Sequence, residues 1–204
     1  RFLAVGAADG ILDFYDVNNG YEHVQSCEEH GGAISAIDWS EREEFPLYAQ
    51  SSSAAARKIR RWEVKLAGDV IAVRQIEFVT LRDEPWQTWT QTLGWHVQGL
   101  LPAAQSWAES PVKCVSRSLD HKVIACGNKQ GNVLLFQFPC VYEDSMPAQA
   151  SQVHRSQIQA LAFTDADKLI SIGQSDAFAA LWDMKMLMAP AEAELTNSLQ
   201  EGSV

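Results

Sequence analysis

Four side chains in the last third of the chain, His154, Ser171, Asp176 and Trp182, include the types that acid–base and nucleophilic catalysis uses. A Ser-His-Asp catalytic set needs an exposed serine beside its base and an oxyanion hole. No nucleophile-elbow sequence supports such a set here. We therefore expect the four residues to have a structural role, and we assign no catalytic residue.

A second group, Cys114, His121, Cys126 and Cys140, has the residue types of a zinc site. Zinc ligands usually pair about two to four residues apart, whereas these are separated by seven, five and fourteen residues. The chain also lacks a C-x-x-C pair. We expect no metal and no cofactor, and we expect these cysteines and Cys27 to be reduced, mostly buried thiols.

The densest basic cluster consists of Arg57, Lys58, Arg60 and Arg61. It stands out because the chain has 26 acidic against 16 basic residues and a net charge of −10. One interpretation is a solvated strand edge whose charges meet the acids of the Ser40–Phe45 loop. The other is a partner-binding patch for an acidic segment, whose carboxylates arginine binds with two hydrogen bonds.

The overall acidity argues against nucleic acid or an anionic membrane as a partner, since both attract a positive field. No run of about 18 apolar residues is present to span a membrane.

The chain repeats a pattern of a turn, a short strand and an aromatic residue. An aromatic residue follows a small or polar turn residue by six positions in four pairs: Asp9 and Tyr15, Ala56 and Trp62, Gln130 and Phe136, and Asp176 and Trp182. A second pattern, His-x-x-x-Ile-x-Ala-(Ile/Leu)-x-aromatic, begins at His30 and again at His154. Repeats of about 40–50 residues indicate a β-propeller or a solenoid, and the Trp-Asp ending favours the propeller.

The strand that ends on Trp182 alternates with period two, and both of its faces are apolar. We expect it to be buried between two sheets. In a WD-repeat blade, His154, Ser171, Asp176 and Trp182 resemble the known structural tetrad, whose members hydrogen-bond in series. The second repeat keeps His30 but has Ala56 at the aspartate position, which predicts a broken network.

The sequence therefore predicts an all-β, WD40-type β-propeller of about three and a half to four blades, with blade segments at about 1–27, 30–107, 111–152 and 154–185. Residues 186–204 are predicted to be a helical or disordered tail. Propellers close with about 4–8 blades, and the chain opens inside a strand. We expect a fragment of a longer protein that needs its missing blades for closure.

One interval is longer than the others. Trp62 and Phe136 are 74 residues apart, against 47 for Tyr15 to Trp62 and 46 for Phe136 to Trp182. The excess predicts an insertion within Leu66–Trp107, containing extended segments at Gln75–Leu81, Trp89–Leu93 and Val97–Leu101. Its four tryptophans are interpreted as packing onto the blade, with an exposed aromatic patch as the alternative.

Five motifs restrict the choice of propeller family. They are IDWS at 37–40, WQTWTQTLGWHVQGLLP at 86–102, GNVLLFQFPC at 131–140, GQSDAFAALWD at 173–183 and LAVGAADGILDFYDV at 3–17. Together they resemble the C-terminal propeller of the echinoderm microtubule-associated protein-like (EMAP-like) family.

The resemblance implies a non-enzymatic WD-repeat scaffold that binds tubulin, microtubules or axonemal partners in the cytoplasm, the cytoskeleton or a cilium. A WD-repeat adaptor unrelated to microtubules, such as a ubiquitin-ligase or trafficking subunit, is the alternative. In the family much tubulin affinity comes from other regions, and the charge of −10 agrees with weak binding of this piece to acidic tubulin tails.

Overall fold

The computed structural model describes residues 2–28, 30–53, 57–68, 70–100, 112–142, 145–165 and 168–184. The predicted tail at 186–204 and Trp107 of the insertion lie outside these ranges. The strands are β1 (Phe2–Gly6), β2 (Leu12–Asp16), β3 (Glu22–Cys27), β4 (Ala36–Trp39), β5 (Leu47–Ser53), β6 (Lys58–Ala67), β7 (Val70–Ile76), β8 (Val112–Arg117), β9 (Val123–Asn128), β10 (Asn132–Gln137), β11 (Gln149–Gln152), β12 (Ile158–Asp165), β13 (Lys168–Gly173) and β14 (Ala179–Asp183).

The strands form four antiparallel sheets in chain order. The first sheet is β1-β2-β3, the second β4-β5-β6-β7, the third β8-β9-β10-β11 and the fourth β12-β13-β14. Each strand pairs with its neighbour in sequence, as hairpin connections require. The predicted all-β class and the number of blade-like units are confirmed.

Successive sheets face each other through apolar side chains. Leu12 and Phe14 of the first sheet pack with Leu47 and Trp62 of the second. Between the third and fourth sheets, the shared core contains Ala125, Val133, Leu135, Ile158 and Leu169. Burying one such large side chain contributes about 1.5–3 kcal/mol relative to leaving it exposed. The stacking of sheets is therefore held mainly by apolar burial.

Among the described residues, no sheet covers the outward faces of the two end sheets. Leu3 and Val5 project from β1, and Leu181 of β14 is 65% exposed. The expectation that the strand ending at Trp182 is buried on both faces is therefore wrong for this chain. The physical reason is that Trp182, on one face, packs on the core shared with the third sheet, whereas no described sheet covers the other face.

The insertion between the second and third sheets is mostly irregular. The outer strand β7 ends at Ile76, and two short 3-10 helices follow at Phe78–Leu81 and Trp95–Leu100. Of the extended segment predicted at Gln75–Leu81, only Gln75 and Ile76 lie in a strand. The segments predicted at Trp89–Leu93 and Val97–Leu101 are wrong over their described residues, because Trp89, Val97 and Leu100 pack on the apolar core of the third sheet instead of pairing in a ladder. Leu101 lies outside the described residues. No helix in the described part of the chain is long and apolar enough to cross a membrane.

Candidate functional site

The fourth sheet brings together all four residues singled out near its end. The His154 ring Nδ1 lies 2.6 Å from Asp176 Oδ2, and its Nε2 lies 2.8 Å from Ser171 Oγ. The Trp182 indole N–H donates to the same Ser171 Oγ at 2.8 Å. The order Asp-His-Ser is that of a hydrolase, but Ser171 is fully buried and its oxygen is engaged on both sides. The geometry therefore suits a network that joins strands.

Two neighbours complete the packing around this network. The Phe178 ring stacks on the His154 ring, with 5.0 Å between centroids and 13° between planes. Gly173 lies so close that a Cβ there would collide with the Asp176 carboxylate and come within 2.9 Å of His154 Nδ1. A residue without a side chain is thus required where β13 ends.

The second sheet retains most of the same arrangement. His30 Nε2 lies 2.6 Å from Ser51 Oγ, and the Trp62 indole N–H donates to Ser51 Oγ at 2.8 Å. The prediction of a broken network is therefore wrong for its histidine–serine–tryptophan part, which does not depend on an aspartate. Ala56 lies outside the described residues.

The third sheet has an apolar version of this position. Cys126 pairs with Leu134 as Ser171 pairs with Ala180, two residues before the aromatic residue of each strand. Cys126 and Phe136 are both buried in one apolar cluster. Burial raises the pKa of the Cys126 thiol, and it raises that of Cys114 to about 12. All four cysteines are free thiols, and in the described part of the chain no group of three or more His, Cys, Asp or Glu is placed to hold a metal ion.

The predicted basic patch is divided by the structure. Arg57 and Lys58 are exposed at the start of β6, Arg60 is half-buried, and Arg61 is only 2% exposed. The Arg61 guanidinium donates to the Leu81 carbonyl and lies 5.4 Å from the centroid of the Trp86 ring. Burial lowers the pKa of Arg61 to about 10, so it stays charged at neutral pH. Including Arg61 in a surface patch was wrong, because its side chain points into the insertion.

The insertion also depends on a buried carboxylate that sequence reasoning missed. Asp38 of β4 is 1% exposed. Its oxygens accept hydrogen bonds from the Thr88 hydroxyl at 2.6 Å, from the Thr90 backbone N–H at 3.0 Å and from the Thr90 hydroxyl at 3.0 Å. The side-chain amides of Gln91 and Gln50 donate at 3.0 and 3.3 Å. Asp38 therefore fastens the Thr88–Gln91 segment to the second sheet.

Besides Arg61 and Asp38 of the second sheet, a buried charge of the third sheet also contacts the insertion. Arg117, at the end of β8, donates to the carbonyls of Trp86 and Gln87. Burial lowers the pKa of Arg117, and the carboxylates of Glu41 and Asp38 oppose that shift. Asp38 and Arg61 from the second sheet and Arg117 from the third thus bind one segment between the two sheets. The indoles of Trp86 and Trp89 are buried in the same place, as the packing interpretation predicts.

His96 lies in an aromatic cluster at the edge of this region. Its ring stacks on Phe138 at 5.9 Å between centroids, and it meets Trp89 and Trp95 edge-on at 4.7 and 5.2 Å. The Arg82 guanidinium covers the Trp95 ring at 4.3 Å. The cluster packs the insertion against Phe138, which follows β10.

A family comparison decides what kind of propeller this is. The family described as "Echinoderm microtubule-associated protein second beta-propeller" matches residues 1–184. The chain belongs to this family. The resemblance predicted from its motifs is confirmed.

The EMAP-like relatives are similar over most of the chain. Echinoderm microtubule-associated protein-like 1 of Mus musculus is 31% identical over 186 residues, which are 89% of this chain and 21% of the relative. Echinoderm microtubule-associated protein-like 3 of Mus musculus is 29% identical over 210 residues, 99% of this chain and 22% of the relative. The chain spans about a fifth of the length of these relatives.

Solved structures of other proteins share the fold of this EMAP-like chain. The Cps50 (Swd1) β-propeller domain of Myceliophteria thermophila superposes with a TM-score of 0.53 at 13% identity, covering 93% of this chain and 64% of that one. Saccharomyces cerevisiae Sqt1 gives 0.56 at 16% identity, covering 91% and 56%. The chain thus has the WD40-type propeller fold, in which the four sheets are blades.

The aromatic cluster of this EMAP-like insertion predicts a pH-dependent stability. Burial lowers the pKa of His96 below its ordinary value of 6.5. The cations Arg61, Arg117 and Arg82 also lower it, and Asp83 opposes them. Because the unfolded chain binds the proton more readily, the folded state loses stability as pH falls through the ordinary pKa of histidine.

We expect the urea midpoint of the insertion, followed by tryptophan fluorescence, to fall between about pH 7.5 and about pH 5.5. In His96→Gln this fall is smaller, because the variant has no imidazole to protonate. An identical pH dependence in wild type and variant would contradict the prediction and assign the fall to other histidines.

Proposed function

We propose that this chain is part of a non-enzymatic WD-repeat scaffold in a microtubule-associated protein of the cytoplasmic or axonemal cytoskeleton. The observation that carries the proposal is the family match over residues 1–184, together with relatives whose names describe microtubule-associated proteins. The buried Ser171 supports a scaffold, because a serine whose hydroxyl is engaged by both His154 and Trp182 is closed to substrate.

The open outer faces support a second part of the proposal, which is that further blades of the same protein complete the ring. Exposed Leu3 and Val5 at one end and Leu181 at the other are apolar surface of the kind that neighbouring sheets cover elsewhere in this chain. Closure also removes unpaired strand edges, which otherwise promote aggregation.

Localisation of the full-length protein tests the proposal. We expect a fluorescently tagged full-length protein to decorate a filament network in cells and to become diffuse after the microtubules are depolymerised by a drug. A pattern that survives depolymerisation unchanged would contradict the proposal and favour an adaptor unrelated to microtubules.

The exposed part of the basic cluster is the proposed contact for an acidic partner segment. Arg57 and Lys58 are both exposed, and Arg57 occupies a turn with φ of 49° that holds it at the edge of the blade. We expect Arg57→Glu with Lys58→Glu to weaken microtubule binding of the full-length protein by about 3–10-fold, because opposite charges steer and stabilise the encounter. The matched control is Lys129→Glu with Arg155→Glu, which changes the net charge equally at two other exposed sites. An equal loss in both double variants would refute the patch.

A further inference from the structure

An open groove of about 390 Å³ lies between the first and second blades, where β1 begins and β4 ends. Its apolar wall is formed by Phe2, Trp39 and Leu47. Its polar side is formed by Ser40, Arg42, Glu43 and Gln87. Nothing in the proposed scaffold role uses this groove.

The residues of the apolar wall are supported by the core between the two blades. The Trp39 ring meets the fully buried Phe14 ring edge-on at 6.0 Å, and Leu47 is buried in the core between the two blades. Phe45 extends the wall outward, since it is 43% exposed and packs edge-on against Phe2 at 5.9 Å. The groove is thus preformed and offers aromatic surface to an incoming side chain.

The rim of the groove is acidic. The Ser40–Pro46 loop exposes Glu43 and Glu44, and within the described ranges neither carboxylate forms an ion pair. The one arginine of this loop, Arg42, binds Glu84 through two hydrogen bonds of 2.6 and 3.0 Å. Its guanidinium also lies over the Tyr48 ring at 4.7 Å. Its positive charge is therefore already matched, and the rim attracts cations.

We propose that this groove binds a basic peptide segment of a partner protein. One aromatic or aliphatic side chain of the segment fills the hollow between Phe2, Trp39 and Leu47. Flanking lysine or arginine side chains pair with Glu43 and Glu44. Two kinds of complementarity at one place, apolar and electrostatic, distinguish this surface from a generally acidic face. The partner segment is opposite in charge to the acidic segment expected at Arg57 and Lys58, so the two sites take different ligands.

The test uses a fluorescein-labelled heptapeptide with six lysine or arginine residues around one central phenylalanine. We expect saturable binding to the full-length protein by fluorescence anisotropy. In Glu43→Lys with Glu44→Lys, affinity falls by about tenfold or more, because two attractive contacts become repulsive. Both positions are exposed in a loop, so the blade itself is unaffected. A peptide with central alanine binds several-fold more weakly, since it leaves the hollow empty.

The matched control is Glu28→Lys with Glu77→Lys, which makes the same change of net charge at exposed positions away from the groove. This control keeps affinity within about twofold of wild type at moderate salt. Equal losses in the two double variants, or equal binding of the phenylalanine and alanine peptides, would overturn the proposal in favour of nonspecific attraction. Absence of saturable binding by the wild-type protein would also overturn the proposal. That result is expected if another segment of the same protein fills the groove.

Discussion

Replacing Asp38 with alanine is expected to lower the opening free energy of the insertion by about 3–5 kcal/mol. The carboxylate is buried and accepts hydrogen bonds from Thr88, Thr90 and Gln91 of the insertion. Alanine leaves these donors without their acceptor, and each buried donor left unsatisfied costs about 1–3 kcal/mol. The buried cation Arg117 also loses the nearby negative charge of Asp38.

Amide hydrogen exchange of the full-length protein measures this effect directly, because the Thr90 N–H is itself one of the donors. The expected loss corresponds to exchange of residues 86–100 that is faster by a factor of about 10² to 5 × 10³. Glu43→Ala is the control, since it removes an exposed carboxylate only a few residues away and leaves the rate unchanged. A loss below about 1 kcal/mol in Asp38→Ala would show that the buried tryptophans and the contacts of Arg61 and Arg117, rather than Asp38, hold the insertion.

Replacing His154 with alanine is expected to destabilise the fourth blade by about 2–4 kcal/mol. The substitution removes the ring that joins Asp176 to Ser171, leaves the Asp176 carboxylate without its 2.6 Å partner and opens a cavity beneath Phe178. Amides of β13 and β14 are then expected to exchange faster, whereas those of the second blade keep their rates.

Arg155→Ala is the adjacent control, because Arg155 is exposed and surface substitutions usually change stability by less than about 0.5 kcal/mol. If His154→Ala left exchange in β13 and β14 within that limit, the histidine would not be a structural residue. The Asp-His-Ser geometry would then need another explanation, and a catalytic role would have to be reconsidered.

The blades were predictable because their signals are local. A strand alternates over about five residues and a turn needs its own small or polar residues, so four repeats could be aligned by one six-residue offset. The positions His154, Ser171, Asp176 and Trp182 followed from the same alignment. Ser51 occupies the position equivalent to Ser171, but it lies in a run of three serines, Ser51–Ser53, and the repeat has Ala56 in place of the aspartate, so the local pattern does not mark it as a member of the network.

The insertion was not predictable in the same way, because its contacts are distant in sequence. Asp38 binds residues 50 to 53 positions further along the chain, and nothing local marks it as buried. Arg61 was misplaced for a related reason. A run of basic residues indicates a solvent-exposed surface, yet side chains along β6 alternate between two faces. The face that carries Arg61 meets the insertion at Leu81 and Trp86.

Co-sedimentation of the full-length protein with purified microtubules tests the proposed microtubule binding. We expect the full-length protein to pellet with the polymer and the 204-residue chain, with its net charge of −10, to pellet weakly or not at all. Recovery of the full-length protein only in the supernatant, with tubulin polymer in excess, would show that the protein does not bind microtubules.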